Sequence, residues 1–370
     1  MKKGEHGMAR TTIVRVFAMA LAVVTLLTLV SGPAQAQSWA PRQVQATLKG
    51  SGATFPAPLY AAWIDVYKKV VPGVSISYQP VGSGQGIRDF IAYLTDFGGT
   101  DAAIAASRVQ TEAPDALHIP MVIGAVVPTY NVPGVTELRF NPEILAGIYL
   151  GAIRNWNDPR IAAANPNVRL PNLAITVVYR SDSSGTTSIW TDYLSKISTD
   201  WRSQVGSGTT VRWPVGVGAP GNPGVASTVK NTRGAIGYVE QVFATANSLP
   251  LPPVQNASGN FVAASLEATS AAANGVPIPA NLVASITNSP NPNAYPIAGF
   301  TYILVRQNTY KDVPKAQALT DFLYWNLTEG TGAATRLGYA PLPASLRVRA
   351  IQALQSITVD GQRVFDGPAR

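Results

Sequence analysis

Three observations predict an α/β fold of two domains. Short β-branched segments alternate with helical patterns from about residue 48. A chain of 370 residues is long enough for two hydrophobic cores. Two strongly strand-like segments, Val122 to Tyr130 and Ile297 to Val305, lie far apart in sequence and read as strands that cross between the domains. On that reading residues 129–294 form an inserted domain, and residues 37–128 with 295–370 form the domain that receives it.

At the N-terminus, Lys2, Lys3, Arg10 and Arg15 precede an apolar run from Val16 to Val30, and Gly32-Pro33 leads into Ala34-Gln35-Ala36. This is the layout of an export signal over residues 1–36, with cleavage between Ala36 and Gln37. The run is shorter than the ~20 residues that span a bilayer core, which disfavours the alternative of an uncleaved anchor. Met8 is an alternative start.

Farther on, Gly52-Ala53-Thr54-Phe55-Pro56 predicts a helix beginning at Pro56, with Leu59, Trp63 and Val66 on its inner face. Val74 to Tyr78 alternates as a strand, and a helix from Ile87 to Leu94 follows the turn Gly82-Ser83-Gly84-Gln85-Gly86. Asn141-Pro142-Glu143 supplies a cap, a first-turn proline and an acid for the next helix. After Ser184-Gly185-Thr186, the residues Trp190, Tyr193, Leu194 and Ile197 recur at helical spacing and form one buried stripe. Residues 256–293, rich in Ala, Ser, Asn and Pro, read as peripheral.

Composition removes several function classes. The formal charge is +8, but without residues 1–36 it is +5, with 24 basic against 19 acidic side chains and no basic run. Nucleic acid is therefore not an expected partner. Cysteine is absent, so disulfides, thiolate chemistry and the lipid attachment of a lipoprotein are all excluded. His118 is the one histidine beyond the signal, too few for a His-based metal pair, and it reads as a packed or solvated side chain. No cofactor or metal is expected.

What remains is a set of small and hydroxyl residues where loops enter helices: the segments at Thr54, at Ser83, at Asp96 to Asp101, and Arg180-Ser181-Asp182-Ser183-Ser184-Gly185-Thr186-Thr187. Free N–H groups at helix starts attract anions, and a guanidinium adds a two-pronged donor. This is the inventory of a dry oxyanion site without an activated nucleophile. A dinucleotide reading fails because Ile87 stands where G-x-G-x-x-G needs its third glycine.

The segments GSGATFPAPLYAAW, YQPVGSGQGIRDF, DFGGTDAAI, GIYLGAIRNWNDPRI, RSDSSGTTS, GAIGYVE and LGYAPLP, in this order, make the chain similar to the phosphate-binding proteins of phosphate-specific ABC transporters. The resemblance implies a two-domain periplasmic binding protein of the hinged-clamp type, each domain a sheet flanked by helices, with the two crossing strands as hinge. It implies inorganic phosphate as ligand, membrane permease subunits of an importer as partners, a periplasmic or secreted monomer, and no enzymatic activity. Its ligand contacts carry over to Thr54, Phe55, Ser83, Asp101, Arg180, Ser184, Gly185 and Thr186, with Asp182 as the acid that pairs with Arg180. Asp101 then has a particular meaning, because phosphate keeps a proton near neutral pH that a carboxylate can accept. Sulfate keeps none. The alternatives are the same fold on sulfate, molybdate or a phosphonate, or a phosphoester hydrolase.

Overall fold

The fold is that of a computed structural model, which describes residues 39–369. The export signal at residues 1–36 and the start at Met8 lie outside them. Residues from Pro41 onward form one compact unit.

The chain runs β1 (Ala46–Gly52), α1 (Ala57–Val70), β2 (Val74–Gln79), α2 (Ser83–Ile91), β3 (Phe97–Thr100), α3 (Ala106–Glu112) and the long β4 (Ala116–Tyr130). Next come α4 (Pro142–Tyr149), α5 (Pro159–Ala164), β5 (Thr176–Arg180), α6 (Gly185–Ile197), α7 (Thr199–Gln204), β6 (Val217–Ala219), α8 (Gly221–Asn231), β7 (Ala235–Glu240) and α9 (Gln241–Ala246). The remainder is β8 (Val254–Gln255), β9 (Phe261–Val262), α10 (Leu266–Ala271), β10 (Ala298–Arg306), α11 (Val313–Thr328), α12 (Thr331–Arg336), β11 (Ala340–Pro341), α13 (Ala344–Gln355), β12 (Thr358–Val359) and β13 (Gln362–Arg363).

One mixed sheet carries the architecture, in the order β2-β1-β3-β10-β4-β7-β5-β6, with β11 pairing β4. β1 lies parallel to β2 and β3, and β5 lies parallel to β6 and β7. Between the two parallel groups stand β10 and β4, antiparallel to each other. These are the two segments that the sequence marks as crossing strands. Residues 116–125 of β4 pair with β10, and residues 126–130 pair with β7. Both strands are buried on both faces, which is why they read as continuous apolar runs.

Within this pair Gly124 stands opposite Gly299, so both would project side chains to the same face of the sheet. That space is taken. A Cβ at Gly124 would collide with the Phe55 ring, and one at Gly299 with Ile189 of α6.

Several local expectations hold. Asn141 Oδ1 accepts from Ile144 N at 2.9 Å and caps α4. Ser184 Oγ accepts from Thr187 N at 3.1 Å and caps α6, whose Trp190, Tyr193 and Leu194 are fully buried. Trp190 stacks on Tyr238 of β7 with ring centres 5.1 Å apart, which seats α6 on the sheet. Truncating such an aromatic anchor to alanine typically costs ~3–5 kcal/mol.

Three expectations are corrected. α1 starts one residue late, and its buried stripe is Leu59, Tyr60, Trp63 and Tyr67, while Val66 is 39 % exposed. α2 begins at Ser83, inside the glycine-rich turn, and ends by Ala92, where Tyr93 takes a positive φ of 58°. Burial of the turn among neighbouring loops supports helix where glycine propensity opposes it. Residues 256–293 are mostly irregular but not merely peripheral, because Leu282 and Ile286 are buried. Lys196 Nζ of α6 donates to Ser285 Oγ at 2.6 Å, and Arg349 of α13 donates to Ile278 O at 2.9 Å, so the stretch is tied to two helices around residues 278 and 285.

Candidate functional site

Parallel strands deliver the expected residues to one place. β1, β3 and β5 each end at a site segment: β1 before Thr54 and Phe55, β3 at Thr100 before Asp101, and β5 at Arg180. Ligands of α/β folds gather outside the carboxyl ends of such strands. Three helices, α1, α2 and α6, start beside them, so the positive ends of three helix dipoles converge on the same place.

Ser83 sits at the meeting point. Its hydroxyl accepts from Asp101 N at 3.2 Å and from Gly185 N at 3.0 Å, joining the segment after β3 to the start of α6. Ser83 Oγ also lies 3.4 Å from Asp101 Oδ2. Gly84 N donates to Ser183 O at 2.9 Å, so the glycine-rich turn approaches protein backbone closely. Gly185 has no room for a side chain, since a Cβ there would stand 2.5 Å from both Asp101 Oδ2 and Ser83 Oγ.

The cation is held from two sides. Arg180 is 4 % exposed, and its Nε donates to Asp182 Oδ1 at 2.7 Å while Nη2 pairs with Asp182 Oδ2. Nη1 donates to Thr186 Oγ1 at 3.3 Å. Asp182 Oδ1 also accepts from Gly221 N at 2.9 Å. Burial pushes the Asp182 carboxyl up, but the bonds and charge of Arg180 outweigh it and leave the group below its ordinary value. The pair therefore stays ionised, with the fork oriented by its acid.

Asp101 is treated differently. Burial pushes its carboxyl up to about 7, against the opposing bond from Thr301, the charge of Arg180 and the bond from Ser83. Thr301 Oγ1 donates to Oδ1 at 2.8 Å. Capping the local turn falls to Thr100, whose Oγ1 accepts from Ala102 N at 3.1 Å, so Asp101 is spared that role.

All nine expected residues thus fall into one constellation. Thr54 joins it through Asn222, whose Nδ2 donates to Thr54 Oγ1 at 2.9 Å and to Thr186 Oγ1 at 3.1 Å. Phe55 lends backbone: its carbonyl accepts from Tyr339 Oη at 2.7 Å, and its ring is wholly buried. Ser184 is also fully buried and holds the first turn of α6.

Sequence reasoning missed Asn222, Thr301 and Glu240. Asn222 lies in Pro220-Gly221-Asn222-Pro223-Gly224, which reads as a turn, and Thr301 is one hydroxyl in an apolar strand. Glu240 ends β7 with no exposed surface; its N donates to Asn222 Oδ1 at 2.9 Å and its Oε2 lies 3.2 Å from Tyr339 Oη. Burial drives the Glu240 carboxyl well above its ordinary value. A lone acid closing the apolar run Ala235 to Val239 is the signal that could have marked it.

Comparison with known proteins shows the family. The PBP superfamily domain matches residues 36–329. The phosphate-binding protein PstS of Pasteurella multocida is 41 % identical over 312 residues, covering 83 % of this chain and 89 % of that one. PstS of Methanocaldococcus jannaschii is 38 % identical over 334 residues, covering 84 % and 86 %. Among solved structures, a phosphate-binding protein from Stenotrophomonas maltophilia superposes with a TM-score of 0.61 at 22 % identity, covering 83 % of this chain and 94 % of that one, a likeness of fold.

Proposed function

The chain belongs to the PstS phosphate-binding family within the PBP superfamily, and from that premise we propose that it captures inorganic phosphate outside the cytoplasm and hands it to the permease of an ABC importer. One observation carries the ligand assignment: Asp101, a buried carboxylate, stands among donors supplied by Arg180, Ser83 and Thr186. Donors alone would suit any oxyanion. An acceptor among them suits one that brings a proton, as phosphate does near neutral pH.

Each residue has a part. The N–H groups at Thr54, Phe55 and Thr186 solvate ligand oxygens from helix starts, while Ser184 N, bonded to Thr209 O, and Gly185 N, bonded to Ser83 Oγ, hold the first turn of α6 in place. Arg180, aligned by Asp182, supplies charge and two parallel bonds. Ser83 has both lone pairs engaged by Asp101 N and Gly185 N, and its proton, which makes a long 3.4 Å bond to Asp101 Oδ2, is what it can turn to a ligand oxygen. Asp101 accepts the ligand's proton and faces sulfate as acceptor against acceptor.

The working unit is read as two lobes, residues 37–128 with 295–370 and residues 129–294, joined by β4 and β10 and closing on the ligand. Thr54, Ser83 and Asp101 come from one lobe and Arg180 to Thr186 from the other. Export with cleavage after Ala36 gives a free periplasmic or secreted monomer without a lipid anchor. Binding without chemistry is the expected activity. Calorimetric titration of the mature protein should show tight phosphate and arsenate binding and negligible sulfate binding. Sulfate affinity equal to that for phosphate would overturn the assignment. Solution scattering should show contraction when phosphate is added to ligand-free protein.

A further inference from the structure

We infer that Asn222 is a positioning residue of the oxyanion site, one that turns the hydroxyls of Thr54 and Thr186 into obligate donors. The inference rests on the phosphate-binding reading above and deepens it. A hydroxyl has one proton to give and two lone pairs with which to accept. Thr54 Oγ1 accepts from Asn222 N at 3.2 Å and from Asn222 Nδ2 at 2.9 Å. Thr186 Oγ1 accepts from Asn222 Nδ2 at 3.1 Å and from Arg180 Nη1 at 3.3 Å. In each hydroxyl both lone pairs are engaged. The proton is what each has left to offer, which is the polarity an oxyanion needs.

The amide cannot serve in the reverse sense. Its Oδ1 accepts from Glu240 N at 2.9 Å, which fixes which end of the amide is oxygen and sends Nδ2 toward the two threonines. Asn222 is wholly buried, as are Glu240 and Thr186, while Thr54 is 5 % exposed, so water does not readily compete for these bonds. Asn222 spans the two donor sets, since Thr54 precedes α1 and Thr186 lies in the first turn of α6. One amide therefore sets the polarity of donors on both sides of the cleft.

The test is a mutant cycle read by calorimetric titration with inorganic phosphate. Asn222→Ala should weaken phosphate binding at least tenfold in the wild-type background, because each threonine regains a lone pair and can rotate its proton away. Asn222→Asp keeps the shape and the bond to Glu240 N but presents a second acceptor, which invites both threonines to turn their protons inward. It should lose more than Asn222→Ala. In a background of Thr54→Val with Thr186→Val, the alanine change should cost less than threefold, since the hydroxyls through which Asn222 acts are gone. A purely structural asparagine would lower the melting temperature and cost the same factor in both backgrounds, and that additivity would overturn the inference. Should Asn222→Ala fail to fold, the near-isosteric Asn222→Asp carries the cycle by itself, and equal losses in both backgrounds would again sink it. Wild-type protein that fails to bind phosphate would refute the proposed ligand instead, so the two failures are distinct.

Discussion

Across the cleft, the two buried charges are kept in opposite ways. Arg180 is held by a carboxylate in a two-pronged pair, with Asp182 below its ordinary pKa. Asp101 is held by neutral hydroxyls, Thr301 and Ser83, and burial pushes its carboxyl up to about 7. A cation can be stored with its counter-ion and still donate, because the guanidinium has donors to spare. On the proposed reading an acceptor is different, since a strong cationic partner would occupy the oxygen that the ligand's proton needs. Weak, neutral partners leave Asp101 able to accept, and the folded protein carries the cost of a poorly solvated carboxylate.

The largest expected effect follows from that cost. A site built around a ligand's hydroxyl can reject the analogue lacking it by ~10⁴-fold. Asp101→Asn, which offers a donor, is expected to erase much of the discrimination against sulfate in side-by-side titrations. The same variant separates function from stability. The carboxyl titrates at about 7 when folded against an ordinary 3.8, so its stabilising effect is complete below the ordinary value and is lost as pH rises through about 7. In urea unfolding at pH 8, ligand-free Asp101→Asn should exceed wild type by on the order of 4 kcal/mol, and the gap should close by pH 4. A gap that did not vary with pH would break the comparison.

Next in size is Arg180→Ala. Removing one member of a buried, hydrogen-bonded pair costs ~2–5 kcal/mol, much of it from stranding the partner. Phosphate affinity should fall well over tenfold, and Arg180→Ala with Asp182→Ala should fold better than the single change. Unaltered affinity would remove Arg180 from the site.

Smaller effects sharpen the contrast. Gly185→Ala places a methyl 2.5 Å from Asp101 Oδ2 and Ser83 Oγ, an overpacking of about 1–3 kcal/mol that should appear as weaker phosphate binding. Thr301→Val withdraws one neutral donor from Asp101, worth about 1 kcal/mol. It should move the pH dependence of sulfate rejection to higher pH, while Thr301→Ser leaves it in place.

How legible this was depended on the range of the signal. Helix starts announce themselves locally, so Thr54, Ser83, Ser184, Gly185 and Thr186 were found where loops enter helices, and strands β4 and β10 through their unbroken apolar runs. Arg180 and Asp182 stand two residues apart and suggest a pair, but their convergence with Asp101 became readable only through the family resemblance. Asn222, Thr301 and Glu240 reach the site from α8, β10 and β7 through tertiary contacts across 18 to 200 residues of chain. No periodicity encodes such a meeting. The error over Val66 and Tyr67 has the same origin, because Tyr67 is buried against Phe322 and Trp325 of α11, a helix some 250 residues away.

The bare pair Gly124 and Gly299 bears on anyone who would transplant this site. Copying the contact residues onto another scaffold would carry the chemistry without its gauge. Phe55, next to the Thr54 donor, and Ile189, four residues beyond Gly185, both rest where those two glycines omit a side chain. Two absent methyl groups in the sheet thus set how closely the two donor sets can approach, and a host with alanines at the equivalent places would hold every correct residue at the wrong width.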